Sequence, residues 1–149
     1  KGRFASAEQL SEAAALFGCV GGVLTVPEAQ LDAVTAVSGS GPAYFFLFVE
    51  ALVDAAVASG LSRPVATELA VQTMAGSAAM LLERTDAEHV DPAGRPDTTA
   101  AELRALITSP GGTTAAGLRE LERGGVRAAV AAAVDAAKTR SEQLGITTE

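Results

Sequence analysis

The run from Ala43 to Ser59 is apolar on almost every side, and it constrains the fold more than any other stretch of the sequence. Only Glu50 and Asp54 carry charge within it, and Gly60 follows it. A membrane-spanning helix needs about 20 apolar residues, so a shorter run with two carboxylates does not match one. A helix that is apolar on all sides is typical of the centre of a helical core. The sequence therefore predicts that other helices surround residues 43–59.

The rest of the chain also favours helices. Alanine and leucine dominate, aromatic residues make up 4% and tryptophan is absent, which suits packed helices better than a β-sandwich. A capping box at Ser6 and Gln9 begins a first helix that ends at Gly18. Thin, alanine-rich helices hide their apolar surface best against a second copy. We therefore predict an all-α helical bundle that forms an interlocked dimer, with further helices over residues 28–37, 65–83, 99–107 and 126–144.

One short stretch, CVGGVLTV over Cys19–Val26, is typical of a strand, and Pro27 ends it. A single strand would leave its backbone N–H and C=O groups without partners. We therefore expect this strand to belong to a sheet in a missing segment or in another subunit.

Charge and cysteine content exclude several kinds of partner. The net charge is −7 and no Lys/Arg cluster offsets it, so we predict no nucleic-acid partner, and no membrane partner is expected. The single cysteine, Cys19, excludes an internal disulfide and is compatible with a cytoplasmic location. No signal peptide is recognised, and the start at Lys1 without methionine suggests a fragment.

The remaining clusters of titratable residues have simple explanations. Glu50 and Asp54 share a helix face, and a solvated or interface stripe is favoured over acid–base chemistry or a metal. His89 lies between Glu88 and Asp91 in the polar stretch 85–98, where a solvated loop histidine is the favoured interpretation. We predict no metal site.

The segment from Thr108 to Thr114, TSPGGTT, separates two helical patterns. Pro110 and the glycines after it end the first helix, and Thr113 or Thr114 is a natural N-cap for the second. A helix start of this composition leaves N–H groups open at a positive dipole end, which suits an anion. The alternative is a plain helix–loop–helix turn.

A second glycine-containing loop, SGSGP over Ser38–Pro42, precedes the apolar run. It has the composition of a phosphate loop but lacks the Walker lysine, and no strand leads directly into it. Pro42 suits the first turn of a helix that Ser40 or Gly41 caps. A structural turn and a ligand loop therefore both stay open.

Two blocks of this sequence resemble pyrroline-5-carboxylate reductases. They are TSPGGTTAAGLREL and LDAVTAVSGSGPAYFFLFVEALVDAAV, and the similarity runs from about Phe4 to Leu144. The resemblance implies an N-terminal Rossmann domain that binds NADPH or NADH, followed by a helical dimerisation domain. No G-x-G-x-x-G occurs between a strand and a helix here. The chain therefore matches only the helical dimerisation domain of this family. We expect residues 1–26 to form the junction with the N-terminal domain and residues 27–149 to form the helical dimerisation and substrate-binding domain of a homodimer or higher oligomer.

The resemblance also implies a reaction, the transfer of a hydride to the C=N carbon of 1-pyrroline-5-carboxylate to give L-proline. The substrate carboxylate suits the N–H groups at Gly112, Thr113 and Thr114, with Ser109 and Gly111 completing the substrate site. By its position in the motif, the Thr114 hydroxyl is the expected catalytic hydrogen-bond donor to the imine nitrogen. The resemblance further implies that the nicotinamide end of the cofactor lies near Ser40, Gly41 and Pro42.

Two alternatives stay open at this point. One is the helical domain of another Rossmann-type dehydrogenase, such as a β-hydroxyacid type. That type uses a helix-borne catalytic lysine, and the only lysines here are Lys1 and Lys138, at opposite ends of the chain. The other is a dimerisation module with no chemistry of its own.

Overall fold

The computed structural model describes residues 1–85 and 99–146, and the polar stretch with His89 lies outside this range, apart from Thr85 at the end of a helix. The described residues form helices and connecting turns, with no strand, as the all-α prediction requires. The α-helices are α1 (Ala7–Gly18), α2 (Leu31–Val34), α3 (Gly41–Ala58), α4 (Arg63–Thr85), α5 (Thr99–Leu106), α6 (Thr113–Arg123) and α7 (Val126–Ile146).

The chain divides into two compact units. The first consists of Lys1–Pro42 together with Val130–Glu149, and the second consists of Ala43–Ala129. Each unit is described by itself below.

In the first unit, the predicted capping box of α1 is confirmed. The Ser6 Oγ accepts a hydrogen bond from the Gln9 backbone N at 3.1 Å, and the Gln9 Oε1 accepts one from the Ser6 N at 2.9 Å. Two N–H groups at the helix start are thereby satisfied by side chains only three residues apart. The apolar face of α1 borders a cavity of about 200 Å³, whose other wall is formed by residues 23–26.

Residues Cys19–Val26 form no strand within the described part of this chain, and their pairing with a sheet in a missing segment or in another subunit stays a prediction. After a turn at Cys19 and Val20, the backbone of these residues is irregular, and no second strand is available among the described residues. A strand is defined by its ladder of hydrogen bonds, so sequence pattern alone cannot produce one where no partner lies alongside.

The predicted short helix at residues 28–37 exists and extends further. Glu28–Gln30 is a 3₁₀ turn, α2 follows it, and Thr35–Gly39 is a π-helical segment that leads towards α3. The hydroxyls of Thr35 and Ser38 donate to the carbonyls of the residues four earlier, at 3.0 and 2.9 Å. The Ser141 Oγ on α7 donates to the Asp32 Oδ1 at 2.6 Å and ties α7 to α2 within this unit.

In the second unit, a small core joins α3 to α4. Val53 of α3 packs against Ala66 and Ala70 of α4, and all three side chains are buried. The small alanine side chains allow the two helices to approach closely. Leu103 of α5 is also buried.

The first half of helix α3 is exposed on every side, whereas its second half packs against α4 through Val53. The exposed fractions of Phe45, Phe46, Leu47 and Phe48 are 59%, 69%, 66% and 51%. Consecutive helical residues point about 100° apart, so these four side chains sample every direction around the axis. Among the described residues, the buried apolar side chains are limited to Ala36, Val53, Ala66, Ala70 and Leu103.

Two helical stretches are long and apolar enough to cross a membrane, judged by length and composition alone. They are Glu28–Ala58, with a mean hydropathy of 1.5, and Arg63–Arg84, with a mean hydropathy of 1.3. The first is longer than the run predicted from Ala43 because the 3₁₀, α and π segments continue into α3 without a break. The core helices of proteins that do not enter membranes meet the same criteria, so this is weak evidence for a membrane protein.

Candidate functional site

The connection between α5 and α6 is a tight turn built by Ser109, Pro110, Gly111 and Gly112. The Gly112 N–H donates to the Ser109 carbonyl at 3.0 Å, and Gly111 has a φ of +70°. Proline at the second position and a left-handed glycine at the third are the signature of a type II turn. The sequence SPGG therefore sets one defined backbone geometry just before α6.

Gly112 is the N-cap of α6, and the predicted N-cap at Thr113 or Thr114 is wrong. Gly112 has an extended backbone, with φ −79° and ψ 176°, and the helix already begins at Thr113. The turn brings Gly112 so close to Ser109 that a Cβ on it would lie 2.7 Å from the Ser109 Oγ and 3.2 Å from the Ser109 carbonyl oxygen. Glycine suits the cap because any larger residue would crowd Ser109.

The start of α6 presents a row of open N–H groups. The first intrahelical hydrogen bond runs from the Ala116 N to the Gly112 carbonyl at 3.1 Å, and no side chain caps the helix. Within the described residues, the N–H groups of Thr113, Thr114 and Ala115 therefore have no partner. The Gly112 N–H does not belong to this set, contrary to the sequence-based expectation, because the turn uses it. We refer to Thr113, Thr114 and Ala115 as the open N–H groups.

The hydroxyls around this turn differ in availability. The Thr108 Oγ1 donates back to the Arg104 carbonyl at 2.5 Å, so it is engaged within the chain. Thr114 is half-buried and its hydroxyl has no partner among the described residues, whereas Thr113 and Ser109 are exposed. Thr114 thus combines a free hydroxyl with partial shielding from water, beside the open N–H groups.

Sequence reasoning missed a set of ion pairs that connects the helices around the turn. We call Arg104 on α5, Glu122 on α6 and Arg127 on α7 the Glu122 cluster. The Arg127 Nε donates to both carboxylate oxygens of Glu122, at 2.9 and 3.0 Å, and the Arg104 Nη1 lies 3.9 Å from the Glu122 Oε1. The hydrogen bond from Arg127 holds the pKa of Glu122 below its usual value, and the same bond raises the pKa of Arg127. Both side chains are charged at neutral pH.

The second candidate loop lies in the first unit. Gly41 is buried and Ser40 is half-buried, and Pro42 occupies the first turn of α3 as predicted. The Ser40 N–H donates to the Thr35 carbonyl at 2.9 Å, which closes the π-helical segment. Such π segments are rare and are frequent at functional sites.

No group of three or more His, Cys, Asp or Glu side chains that could hold a metal ion occurs in residues 1–85 and 99–146.

Substituting Gly112 and Gly117 with alanine is expected to change stability in opposite directions. Gly112→Ala places a Cβ against the Ser109 backbone, so it should lower the free energy of unfolding by about 1 kcal/mol or more. Gly117 lies inside α6 with no atom within 4 Å of its Cβ position, so Gly117→Ala should raise that free energy by about 0.5–1 kcal/mol. Urea unfolding at fixed protein concentration measures both changes. Equal effects of the two variants would contradict the described turn.

Comparison with known proteins identifies the family. The family model for pyrroline-5-carboxylate reductase dimerisation matches residues 28–144. The chain is 71% identical, over 154 aligned positions, to the pyrroline-5-carboxylate reductase of Mycobacterium tuberculosis strain H37Rv, and the match covers 100% of this chain and 52% of that protein.

The chain belongs to the pyrroline-5-carboxylate reductase family.

Other pyrroline-5-carboxylate reductases are also similar to this chain. That of Mycobacterium leprae is 70% identical over 154 positions, covering 100% of this chain and 52% of that protein. The Coxiella burnetii structure is 35% identical with a TM-score of 0.82, covering 96% of this chain and 49% of that one. The Plasmodium falciparum structure, with NADP bound, is 35% identical with a TM-score of 0.79. The match covers 97% of this chain and 53% of that one.

The chain thus spans about half the length of the pyrroline-5-carboxylate reductases that it matches. The family result favours the first interpretation of the sequence over the helical domain of another Rossmann-type dehydrogenase. The division of the chain at residues 26 and 27 stays a prediction.

Proposed function

We propose that this chain supplies the substrate pocket and the subunit interface for the reduction of 1-pyrroline-5-carboxylate to L-proline. The observation that carries the proposal is the turn Ser109–Gly112, which presents open N–H groups and a free threonine hydroxyl at one helix start. The support from relatives is the 71% identity to a pyrroline-5-carboxylate reductase over the whole chain.

The substrate carboxylate is assigned to the open N–H groups. Three N–H donors at the positive end of α6 match the charge and the hydrogen-bonding needs of a carboxylate. Ser109 and Gly111 hold the turn and form the wall beside this site, and Gly112 leaves it free of a side chain. The Gly112 N–H has a structural role, because it is engaged within the turn.

The Thr114 hydroxyl is assigned to the imine nitrogen. An imine accepts a hydride at carbon most readily when its nitrogen is protonated or hydrogen-bonded. The hydroxyl is free and lies on the residue whose N–H also faces the anion position, so one residue contacts both ends of the substrate's C=N–C–COO⁻ unit. Its role is to orient and polarise the nitrogen and to relay to it a proton from water, because a threonine is too weak an acid to supply that proton itself.

A reduced nicotinamide, NADPH or NADH, would supply the hydride. Ser40, Gly41 and Pro42 are proposed to lie against its uncharged nicotinamide end. The residues fit that end, because Gly41 is buried without a side chain and Ser40 offers a half-buried hydroxyl. They do not fit the phosphates, because Glu28–Ala58 contains no lysine or arginine. The Plasmodium falciparum relative with NADP bound supports the cofactor class.

We also propose that the chain acts in the cytoplasm as a homodimer or a higher oligomer, without nucleic-acid or membrane partners. The family model's description as a dimerisation domain supports self-association. The exposed first half of α3 supports it as well, because an exposed apolar surface of this kind marks an interaction site.

A chimera tests the function. In this chimera, the chain replaces the matching 52% of the Mycobacterium tuberculosis reductase. We expect it to form L-proline from 1-pyrroline-5-carboxylate while oxidising NADPH or NADH, measured by absorbance and by product analysis. A folded, assembled chimera that forms no L-proline would overturn the proposal and favour a dimerisation module with no chemistry.

The 149 residues on their own should not turn over the substrate. They contain no G-x-G-x-x-G cradle for a dinucleotide, so we expect no NADPH oxidation above background and no binding of NADPH by calorimetry. The chain should still bind L-proline at the open N–H groups. Measurable turnover by the purified chain would contradict the assignment of cofactor binding to another part of the enzyme.

A further inference from the structure

The Glu122 cluster joins three helices through one carboxylate. Arg104 lies near the end of α5, Glu122 lies near the end of α6, and Arg127 lies in the first turn of α7. Arg127 approaches Glu122 with two nitrogens, since its Nη2 also lies 2.8 Å from the Glu122 Oε1. A guanidinium that binds a carboxylate through two nitrogens fixes orientation as well as distance.

The cluster gives α6 a second point of attachment to its neighbours. The turn Ser109–Gly112 holds the N-cap of α6, and a helix held at one end can still swing about it. Glu122 holds the other end of the helix towards Arg104 on α5 and towards Arg127 at the corner with α7. Two attachments define the direction of α6, and with it the direction in which the open N–H groups point.

We infer that Glu122 is a positioning residue for substrate binding, which acts by fixing α6 so that the open N–H groups meet the substrate carboxylate in one geometry. The inference rests on the proposed function, because it takes that carboxylate as the ligand. It assigns to an exposed ion-pair cluster a role in affinity, although isolated exposed ion pairs contribute little to stability.

A second carboxylate on the same helix provides a matched control. Glu120 lies 2.7 Å from the Arg123 Nη2 and 3.8 Å from the Arg119 Nε. All three of these residues belong to α6, so this ion pair connects the helix only to itself. Replacing Glu120 removes a comparable charge and comparable ion pairs without releasing α6 from its neighbours.

The test compares Glu122→Gln and Glu120→Gln in the chimera. Glu122→Gln should raise the KM for 1-pyrroline-5-carboxylate roughly five- to thirtyfold, as expected for the loss of two ion pairs that act on binding. The kcat should fall as well, by a smaller factor, because Thr114 lies in the first turn of α6 and its hydroxyl moves together with the open N–H groups. Glu120→Gln should leave both constants within about twofold. Arg104→Gln keeps the Glu122–Arg127 pair and should raise the KM by a smaller factor than Glu122→Gln.

Amide hydrogen exchange on the chain itself gives a readout that does not need activity. Glu122→Gln should speed exchange of the hydrogen-bonded amides of Gly112 and Ala116 severalfold, whereas Glu120→Gln should not. Equal KM values for Glu122→Gln and Glu120→Gln, or equal exchange rates, would overturn the inference. A parent chimera without turnover would instead overturn the proposed function, and the exchange experiment would still decide whether Glu122 fixes the turn.

Discussion

Thr114→Ala in the chimera is expected to form L-proline about 10²–10³ times more slowly than the unmodified chimera. Removing one oriented donor from the position where charge changes in the transition state typically costs about 2.7–4 kcal/mol of barrier. The Thr114 hydroxyl is free and half-buried, so its loss removes that donor without breaking a hydrogen bond within the described chain. Steady-state kinetics at saturating substrate measures the effect.

Thr114→Ser is the matched control. It keeps the hydroxyl and removes only a methyl group, so we expect most of the turnover to remain. Gly112, not Thr114, caps α6, so Thr114→Ala should leave the unfolding midpoint and the assembly state unchanged. Near-normal turnover by Thr114→Ala would show that the hydroxyl has no part in the reaction.

Leu47→Asp is expected to separate the subunits. Leu47 is 66% exposed in the single chain and lies in the middle of the apolar run of α3. If a second copy covers this helix, each dimer would bury two new carboxylates, and truncation or charging of a central interface residue typically costs about 2 kcal/mol or more. The dissociation constant should therefore rise by roughly 10³.

Sedimentation velocity over a range of concentrations measures this change. Leu47→Met keeps a similar volume and apolar character, so it should leave the dissociation constant within about tenfold. Unchanged assembly of Leu47→Asp would mean that this side of α3 faces solvent in the assembly, and the interlocked dimer proposed here would be wrong.

Features that depend on neighbouring residues could be predicted from the sequence. The Ser6–Gln9 capping box was predicted correctly because its donors and acceptors lie within one helical turn. Pro42 in the first turn of α3 is another case, since the proline ring itself fixes the backbone angle that a helix start requires.

Features that depend on residues far apart in the chain could not be predicted from the sequence. Cys19–Val26 has the composition of a strand, but a strand needs a neighbour that the described residues do not supply. The glycine cap at Gly112 follows from the fold of the whole turn, which brings Ser109 against it. The Glu122 cluster was missed because Arg104 and Glu122 meet only once α5 and α6 have been placed in space.

The exposed first half of α3 has a consequence for how the protein reaches its final state. In the proposed homodimer, the first half of α3 is covered only once two chains meet, so folding would end in a bimolecular step whose half-time shortens as the chain concentration rises. Until the two chains meet, the segment Glu28–Ala58 stays open to chaperones and to aggregation. The rate of synthesis in the cell would then set how much of the protein is ever assembled.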